Sequence, residues 1–481
     1  MRRADWLLLV WVAALAAVFL RAGWHHGAGL PLDDPYIYFD YARSAAAGHW
    51  LQYNPGDPPT SGATSLLWLA LLTVGRWCGI HGAGMLWWDF GLSLLCTAGG
   101  ALLCRRAASR LGAAGWQAAA LAGAACATGA LAFALADGLE VPLACLALCA
   151  VAEALAAGSG RRVLLLGVLM PLVRPDLALV LAVVLAVRRP PWGLLPAAAL
   201  AAYAGLMRAW TGTAVMAGGS AKLLALAPGA GILHAAPVAL AGAAAALADP
   251  WGWVLPLPHL TPLWLATAIL LWVLVAFCRA PRSLAVLGLL GVALEGAAFG
   301  PGVPGYQFGR YLAPYAPLLL LAAFAGARRL GRERYIPVAA LGLAVAGLPA
   351  WVGLYGVACG EIAAEQVAIG QWVDRTLPRQ AVLVVNDAGA MAYYGHRYTI
   401  DAIGITTRGF AAAAREPGQP GEIAALQLDL AARGLQGRPV YAAIYPDWLP
   451  TLADAGAPVA QFRLPGRPVV DEAVVEVGRL G

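Results

Sequence analysis

From Trp6 to Tyr355 the chain alternates long apolar runs with short polar breaks. A helix that crosses a membrane needs about 20 apolar residues, fewer where neighbouring helices shelter it. The runs predict crossings at Trp6–Trp24, Met85–Cys104, Ala113–Ala136, Glu140–Ala157, Val163–Val173, Leu177–Val187, Trp192–Trp210, Thr261–Phe277, Leu284–Phe299, Tyr311–Ala327 and Ile336–Tyr355. The expected architecture is an α-helical polytopic membrane protein of about eleven transmembrane helices. The first run follows Arg2-Arg3 but lacks a small-residue cleavage site, and further spans follow it. It therefore reads as a first transmembrane helix rather than a signal peptide.

The breaks differ in charge. Arginine collects at Arg2-Arg3, Arg105-Arg106-Arg110, Arg161-Arg162, Arg188-Arg189, Arg279-Arg282 and Arg328-Arg329-Arg332-Arg334. Cytoplasmic loops concentrate basic residues. If all these breaks face the cytoplasm, neighbouring ones are separated by an even number of crossings. That condition places a long loop, residues 25–84, and the C-terminus outside. The apolar stretch Ser65–Val74 inside the loop then reads as an interfacial helix, because a full span there would reverse every later crossing. The apolar part of Leu223–Leu247 could add re-entrant structure.

After Cys359 the pattern changes. Short β-rich runs (Ala381–Val385, Pro439–Ile444, Ala473–Val477) alternate with helical ones (Glu361–Arg375, Ile423–Arg433). Strands alternating with helices predict a small α/β domain. The expected division is a transmembrane catalytic domain over 1–358, carrying the outer loop 25–84, and an extracytoplasmic α/β domain over 359–481.

Composition supports this reading and removes rivals. Of 481 residues, 61% are hydrophobic and 12% charged, against about 25% charged in an ordinary globular domain. Mean hydropathy is +0.70. The net charge of +6 is 32 basic minus 26 acidic groups. It is spread through loops rather than gathered on a polar face, which argues against a nucleic-acid partner. The eight cysteines form no CxxC pair and no Cys/His metal spacing, so they read as small helix-packing residues.

Polar residues without an obvious structural duty collect on the expected outer face: Asp33, Asp34, Tyr36, Asp40, Arg43, Asp137, Glu140, Arg174, Asp176, Lys222, Arg310 and Tyr311. Ionisable groups at membrane depth are costly and tend to face a cavity. The alternative is that they form ion pairs that only orient helices. Asp33 and Asp34 follow the first helix directly. Such a pair could supply a general base for an acceptor hydroxyl, could hold a divalent cation, or could cap the next helix ahead of Pro35. Arg174, Lys222 (the one lysine) and Arg310 could clamp a phosphate leaving group, or could snorkel to lipid head groups.

The stretch DDPYIYFDYARSAAAGHWLQYNPGDPPTSGATSLLW, from Asp33 to Trp68, closely resembles the first outer loop of bacterial GT-C membrane glycosyltransferases. It is most similar to the branch of the mycobacterial terminal arabinofuranosyltransferases. The shared features are the acidic pair, Tyr41-Ala42-Arg43, Gly48-His49, Asn54-Pro55-Gly56 and Thr64-Ser65-Leu66-Leu67-Trp68. Gly138-Leu139-Glu140, Arg174-Pro175-Asp176, Thr211–Lys222, Gln307–Pro314, and Asn386–Gly389 with Ile400–Gly404 resemble later blocks in the same order. The loop before Lys222 lacks the family's Pro-Asn-Thr, and the Asn-Pro-Gly segment lacks its Glu-Gly-Tyr-Thr.

The resemblance implies transfer of a sugar, arabinofuranose in that branch, from a polyprenyl-phosphate donor to an envelope glycan, lipid or protein. The reaction would run on the outer face of the bacterial cytoplasmic membrane. It implies Asp33 as the leading catalytic carboxylate, with Asp34 supporting it or helping to hold a divalent cation. Arg174, Lys222 and Arg310 are then the phosphate clamp, Glu140 and Asp176 position sugar or acceptor, and Tyr36, Tyr41, Arg43, His49 and Tyr311 complete the substrate-binding set. The α/β domain could bind an acceptor glycan. Two other classes remain: a transporter or flippase, which predicts paired inverted halves that the chain does not show, and a non-catalytic envelope scaffold.

Overall fold

The computed structural model describes residues 3–27, 29–188, 190–214, 217, 232–248, 261–278, 282–300, 302, 306–408, 410, 421–465 and 472–481. Two compact units share the chain. One comprises Met1–Ala22, Asp89–Tyr203 and Leu223–Gly353; the other comprises Gly23–Trp88, Ala204–Lys222 and Leu354–Gly481. The outer loop, expected with the first domain, therefore clusters with the C-terminal residues.

The helices of the first unit follow the expected runs closely. They are α1 (Arg3–His26), α4 (Gly84–Arg110), α5 (Gly115–Ala127), α6 (Gly129–Ala134), α7 (Val141–Ala156), α8 (Gly160–Val173), α9 (Pro175–Arg188), α10 (Pro190–Thr211), α11 (Ile232–Ala248), α12 (Thr261–Ala276), α13 (Arg282–Phe299), α14 (Ala316–Arg329) and α15 (Tyr335–Ile362), with α1, α4, α10 and α15 shared between the units. Between them come α2 (Asp34–Ala46) and α3 (Leu66–Trp77) of the second unit. Among the described residues, five helical stretches are by length and composition able to cross a membrane: Arg3–His26, Gly84–Arg110, Arg282–Phe299, Gln307–Arg329 and Tyr335–Thr376. Shorter apolar helices include Val141–Ala156, Pro175–Val187 and Ala235–Ala248.

The third expected span, Ala113–Ala136, is not one rod. It breaks at Thr128, whose φ of −57° and ψ of 130° are extended, and whose hydroxyl donates to the Ala125 carbonyl at 2.7 Å. A Thr hydroxyl that bonds back to the preceding turn competes with the helix ladder, and the flanking alanines and glycines resist little.

Several of the arginine-rich breaks meet one another. Glu153 takes Arg110 at 2.8 Å and Arg162 at 2.7 Å. Arg105 pairs with Asp5, and Arg328 donates to the Leu111 carbonyl at 3.0 Å. Segments near residues 5, 110, 160 and 328 therefore share one end of the unit.

Close helix approach depends on glycine. A Cβ on Gly296 of α13 would overlap the Gly242 carbonyl of α11, and one on Gly242 would overlap the Gly296 carbonyl. Overpacking a tight contact costs about 1–3 kcal/mol. Gly296→Leu is therefore expected to lower the melting temperature of the detergent-purified protein clearly, while Gly342→Leu, where a Cβ meets nothing within 4 Å, leaves it in place.

The second unit carries a five-stranded sheet in the order β2-β1-β3-β5-β4. The strands are β1 (Val382–Val385), β2 (Tyr398–Asp401), β3 (Val440–Ile444), β4 (Ala457–Arg463) and β5 (Val474–Leu480). β2, β1 and β3 run parallel, and β5 and β4 are added antiparallel. The remaining helices are α16 (Ala368–Thr376), α17 (Ala390–Gly395), α18 (Glu422–Ala432) and α19 (Pro450–Ala455). Val382, Val384, Ile400, Ala442, Ile444, Leu426 and Leu452 form the core. The outer loop is stitched to this sheet. Asn54 exchanges two hydrogen bonds with the Thr399 backbone, at 2.9 and 3.0 Å. Thr60 donates to the Thr406 carbonyl at 2.8 Å, and Asp57 pairs with Arg433 at 2.7 Å.

Candidate active site

The candidate site of the second unit lies at the carboxyl ends of the parallel strands, where open α/β sheets commonly place ligands. The chain leaves β1 as Asn386-Asp387-Ala388-Gly389 and turns into α17. Asp33 reaches this turn. Its Oδ2 accepts the Gly389 N–H and its Oδ1 the Ala390 N–H, both at 2.7 Å. The Asp33 residue is 8% exposed. It stands at the N-cap position of α2 but makes no side-chain cap there, so capping of its own helix, one of the sequence alternatives, is not its duty. Asp34 opens α2 and is half-buried.

The turn is braced from several sides. The Tyr53 hydroxyl reaches the Ala388 carbonyl and the Asp40 carboxylate. Asn386 Oδ1 accepts the Tyr445 N–H at 2.9 Å. Asp387 Oδ2 accepts from the Tyr445 hydroxyl at 2.6 Å and from Gln366 Nε2 at 3.3 Å. Burial, then the neighbouring Asp387 and Asp34 charges, hold the Asp33 carboxyl well above the usual carboxylate range, against the pull of the two N–H donors. Burial also raises Asp387. A carboxylate raised in this way is a better proton acceptor near neutral pH.

The residues grouped around Asp33 by sequence divide into two kinds. Tyr36 is fully buried, takes the Leu30 N–H at 3.3 Å and packs on Phe39, Tyr393 and Tyr394. Tyr41 is buried and bonds Thr60 at 2.6 Å. Arg43 pairs with Asp40 at 2.7 Å. His49 closes the turn after α2 through its backbone, to the Ser44 carbonyl at 2.9 Å. These contacts build the loop. Asp33 is the residue whose carboxylate bonds to the turn after β1, and the Asp34 charge acts on the same place.

In the membrane unit a second cluster forms where α8 gives way to α9 at Arg174-Pro175. Proline at this point cannot donate to the α8 ladder, and Arg174 adopts extended backbone angles as the chain restarts in α9. Arg174 is 4% exposed. It grips Asp176 with both ends of its fork, Nε to Oδ1 at 3.1 Å and Nη2 to Oδ2 at 2.7 Å. Glu295 Oε1 lies 3.7 Å from Nη2 and receives the Tyr315 hydroxyl at 3.4 Å. The guanidinium stands 5.4 Å from the Tyr311 ring centroid. Arg310 donates to the Tyr311 hydroxyl at 2.9 Å and lies over the same ring. The charge of Glu140 also reaches Arg174. Sequence reasoning thus brought together Glu140, Arg174, Asp176, Arg310 and Tyr311. It missed Glu295 and Tyr315, although a single carboxylate in the otherwise apolar α13 was a usable signal. Lys222 lies outside the described residues.

Among the described residues no group of three or more His, Cys, Asp or Glu side chains is arranged to hold a metal ion. Both Asp33 oxygens already receive N–H donors.

A search of solved structures finds ArnT from Cupriavidus metallidurans bound to undecaprenyl phosphate, at a TM-score of 0.55 and 14% identity, covering 99% of this chain and 98% of that one. The apo state of the same protein gives 0.53 and 15% over the same shares. The Archaeoglobus fulgidus oligosaccharyltransferase, tethered to an acceptor peptide containing the NVT sequon, gives 0.50 and 12%, covering 96% of this chain and 73% of that one. At these identities the likeness is one of fold. The chain shares the fold of these proteins: mostly α-helical, with several long apolar helices and a small C-terminal sheet region. A family described as "Domain of unknown function (DUF8728)" matches residues 360–475. No curated protein matches by sequence.

Proposed function

We propose that the chain is a glycosyltransferase that takes its sugar from a polyprenyl-phosphate donor, of the lipid class bound in the ArnT structure. The observation that carries this reading is a buried carboxylate of raised basicity, held by two backbone N–H groups, within a GT-C fold. Asp33 accepts the proton of an acceptor hydroxyl as that oxygen attacks the anomeric carbon. The bond from that carbon to the phosphate oxygen breaks, and polyprenyl phosphate leaves with the electron pair. Arg174, Arg310 and Lys222 offset the charge that develops on the phosphate, and Glu140 and Asp176 orient the sugar or the acceptor. From the loop resemblance the donor sugar is a pentofuranose of the arabinofuranose type. The acceptor is an envelope glycan, lipid or protein. The arginine asymmetry supports a reaction on the extracytoplasmic face of a bacterial cytoplasmic membrane.

The test is transfer of radiolabel from a panel of polyprenyl-phosphate sugars, arabinofuranose included, to membrane acceptors. The expected result is transfer from one donor class. In the same assay Arg310→Gln should raise the donor KM about tenfold or more, because a hydrogen bond to a charged group is worth about 1.5–3 kcal/mol. Absence of transfer from every donor, with acceptor membranes shown competent for other transferases, overturns the reading.

A further inference from the structure

We infer that the turn Asn386–Ala390, at the carboxyl end of β1, is a positioning element of the catalytic centre that aims the Asp33 carboxylate. The C-terminal residues then complete the site instead of serving only as an acceptor-binding module. The inference rests on the transferase reading above.

The geometry is that of a cradle. Two successive N–H groups meet the two oxygens of one carboxylate at equal distances of 2.7 Å, which fixes the carboxylate plane as well as its place. The backbone approaches so closely that a Cβ on Gly389 would overlap the Asp33 carbonyl and carboxylate. Glycine at 389 leaves the room that this approach needs. The turn is itself immobilised by Tyr53 on Ala388 and by Asn386 on the Tyr445 backbone.

A clamp that served only to join loop and sheet would need no charge. Asn54 on Thr399 and Thr60 on Thr406 do that work elsewhere with neutral groups, and Asp57 with Arg433 does it with a balanced pair of charges. Here the chain instead buries a carboxylate beside the carboxylates of Asp387 and Asp34. Like charges brought together in a dry setting weaken the fold. Retaining them while holding one in a fixed orientation is what a pre-organised base requires.

The decisive variants are Gly389→Ala and Tyr53→Phe, assayed beside wild type for kcat and donor KM and followed by thermal melting. Gly389→Ala displaces Asp33 without touching its charge. Tyr53→Phe keeps the ring and loosens the turn, and it decides the matter should the first variant not fold. The expected result is a fall in kcat of at least tenfold with donor KM within twofold of wild type. Gly421→Ala, where a Cβ meets nothing within 4 Å, should match wild type. Wild-type kcat in a folded Gly389→Ala or Tyr53→Phe protein would overturn the inference and leave the transferase reading intact. An inactive wild type fails that reading first.

Discussion

Asp33→Asn should reduce transfer by about 10²–10⁴-fold in kcat, the range over which a positioned general base contributes. Two effects act together. The variant cannot accept the acceptor's proton. It also presents an amide NH₂ to one of the Gly389 and Ala390 N–H groups, because asparagine has one carbonyl oxygen where the carboxylate has two. An unsatisfied buried donor costs about 1–3 kcal/mol, so part of the loss could arise from a displaced turn. Asp34→Asn separates the causes. Asp34 contributes charge to Asp33 but takes neither N–H group. If Asp33 is the base, Asp34→Asn stays active and its activity begins at lower pH, since a neighbouring negative charge has been removed. If Asp34→Asn is as dead as Asp33→Asn, the assignment moves to Asp34.

The pH dependence follows from the same geometry. A base works deprotonated, so wild-type kcat should rise with pH through the Asp33 pKa. That rise should lie well above the ordinary aspartate value of about 3.9. Stability runs the opposite way. Between the ordinary and the raised value the folded state holds protons that the unfolded chain has released. The contribution of Asp33 and Asp387 is therefore complete in acid and is lost as pH rises through the folded pKa values. Activity and stability should cross as pH rises, and Asp387→Asn should flatten the stability trend. A kcat that is level from pH 4 to 8 would remove Asp33 as the base.

The sequence made the helical part of the fold legible because period and length speak directly to it. The break at Arg174-Pro175, the start of α7 after Glu140 and the strands β1, β3 and β5 fall within a few residues of the expected runs. What failed to show was set by contacts far apart in the chain. Asn54 meets Thr399 across 345 residues, and no local pattern announces such a pair. The strands β2 and β4 lie at the two edges of the sheet. They are short or mixed in polarity, so neither gives the apolar run that marks a buried strand. The expected boundary at 358/359 falls inside a continuous helical stretch. α15 passes through a π-helical turn at Ala363–Val367 into α16 with no proline or glycine break between them. The change from apolar to polar composition there is real, but composition alone does not end a helix.

The same limit applies to the site. Asp33 was visible as half of an acidic pair beside a membrane helix. Its partner turn was visible only as one of several blocks in the family resemblance. Asp387 and Gly389 look like ordinary loop residues until the sheet brings them to Asp33. Arg174 was visible as a phosphate-clamp candidate, yet its fork already holds Asp176, so its charge is in part spoken for. A donor phosphate would have to share that fork, and this makes the balance of charge around Arg174 a measurable property of the resting protein.

Arg174→Ala is accordingly expected to be among the most damaging single changes in the membrane unit. Arg174 and Glu295 are 4% and 3% exposed, and Asp176 shares the same guanidinium. Removing one partner of a buried ionic group leaves the others uncompensated and costs about 3–5 kcal/mol. A fall in melting temperature on the order of 10 °C follows. Glu295→Gln placed on Arg174→Ala should recover part of that loss, because it removes one of the stranded charges, whereas Glu295→Gln alone should cost less than Arg174→Ala. The sign of this double-mutant coupling identifies Arg174 as the counter-ion of the carboxylates. Arg174→Lys tests the other role. Lysine keeps the charge without the planar fork that matches a carboxylate or phosphate. It should keep most of the stability yet raise the donor KM about tenfold. Wild-type stability in Arg174→Ala would show that the cluster is balanced elsewhere, and an unchanged donor KM in Arg174→Lys would take the residue out of the clamp.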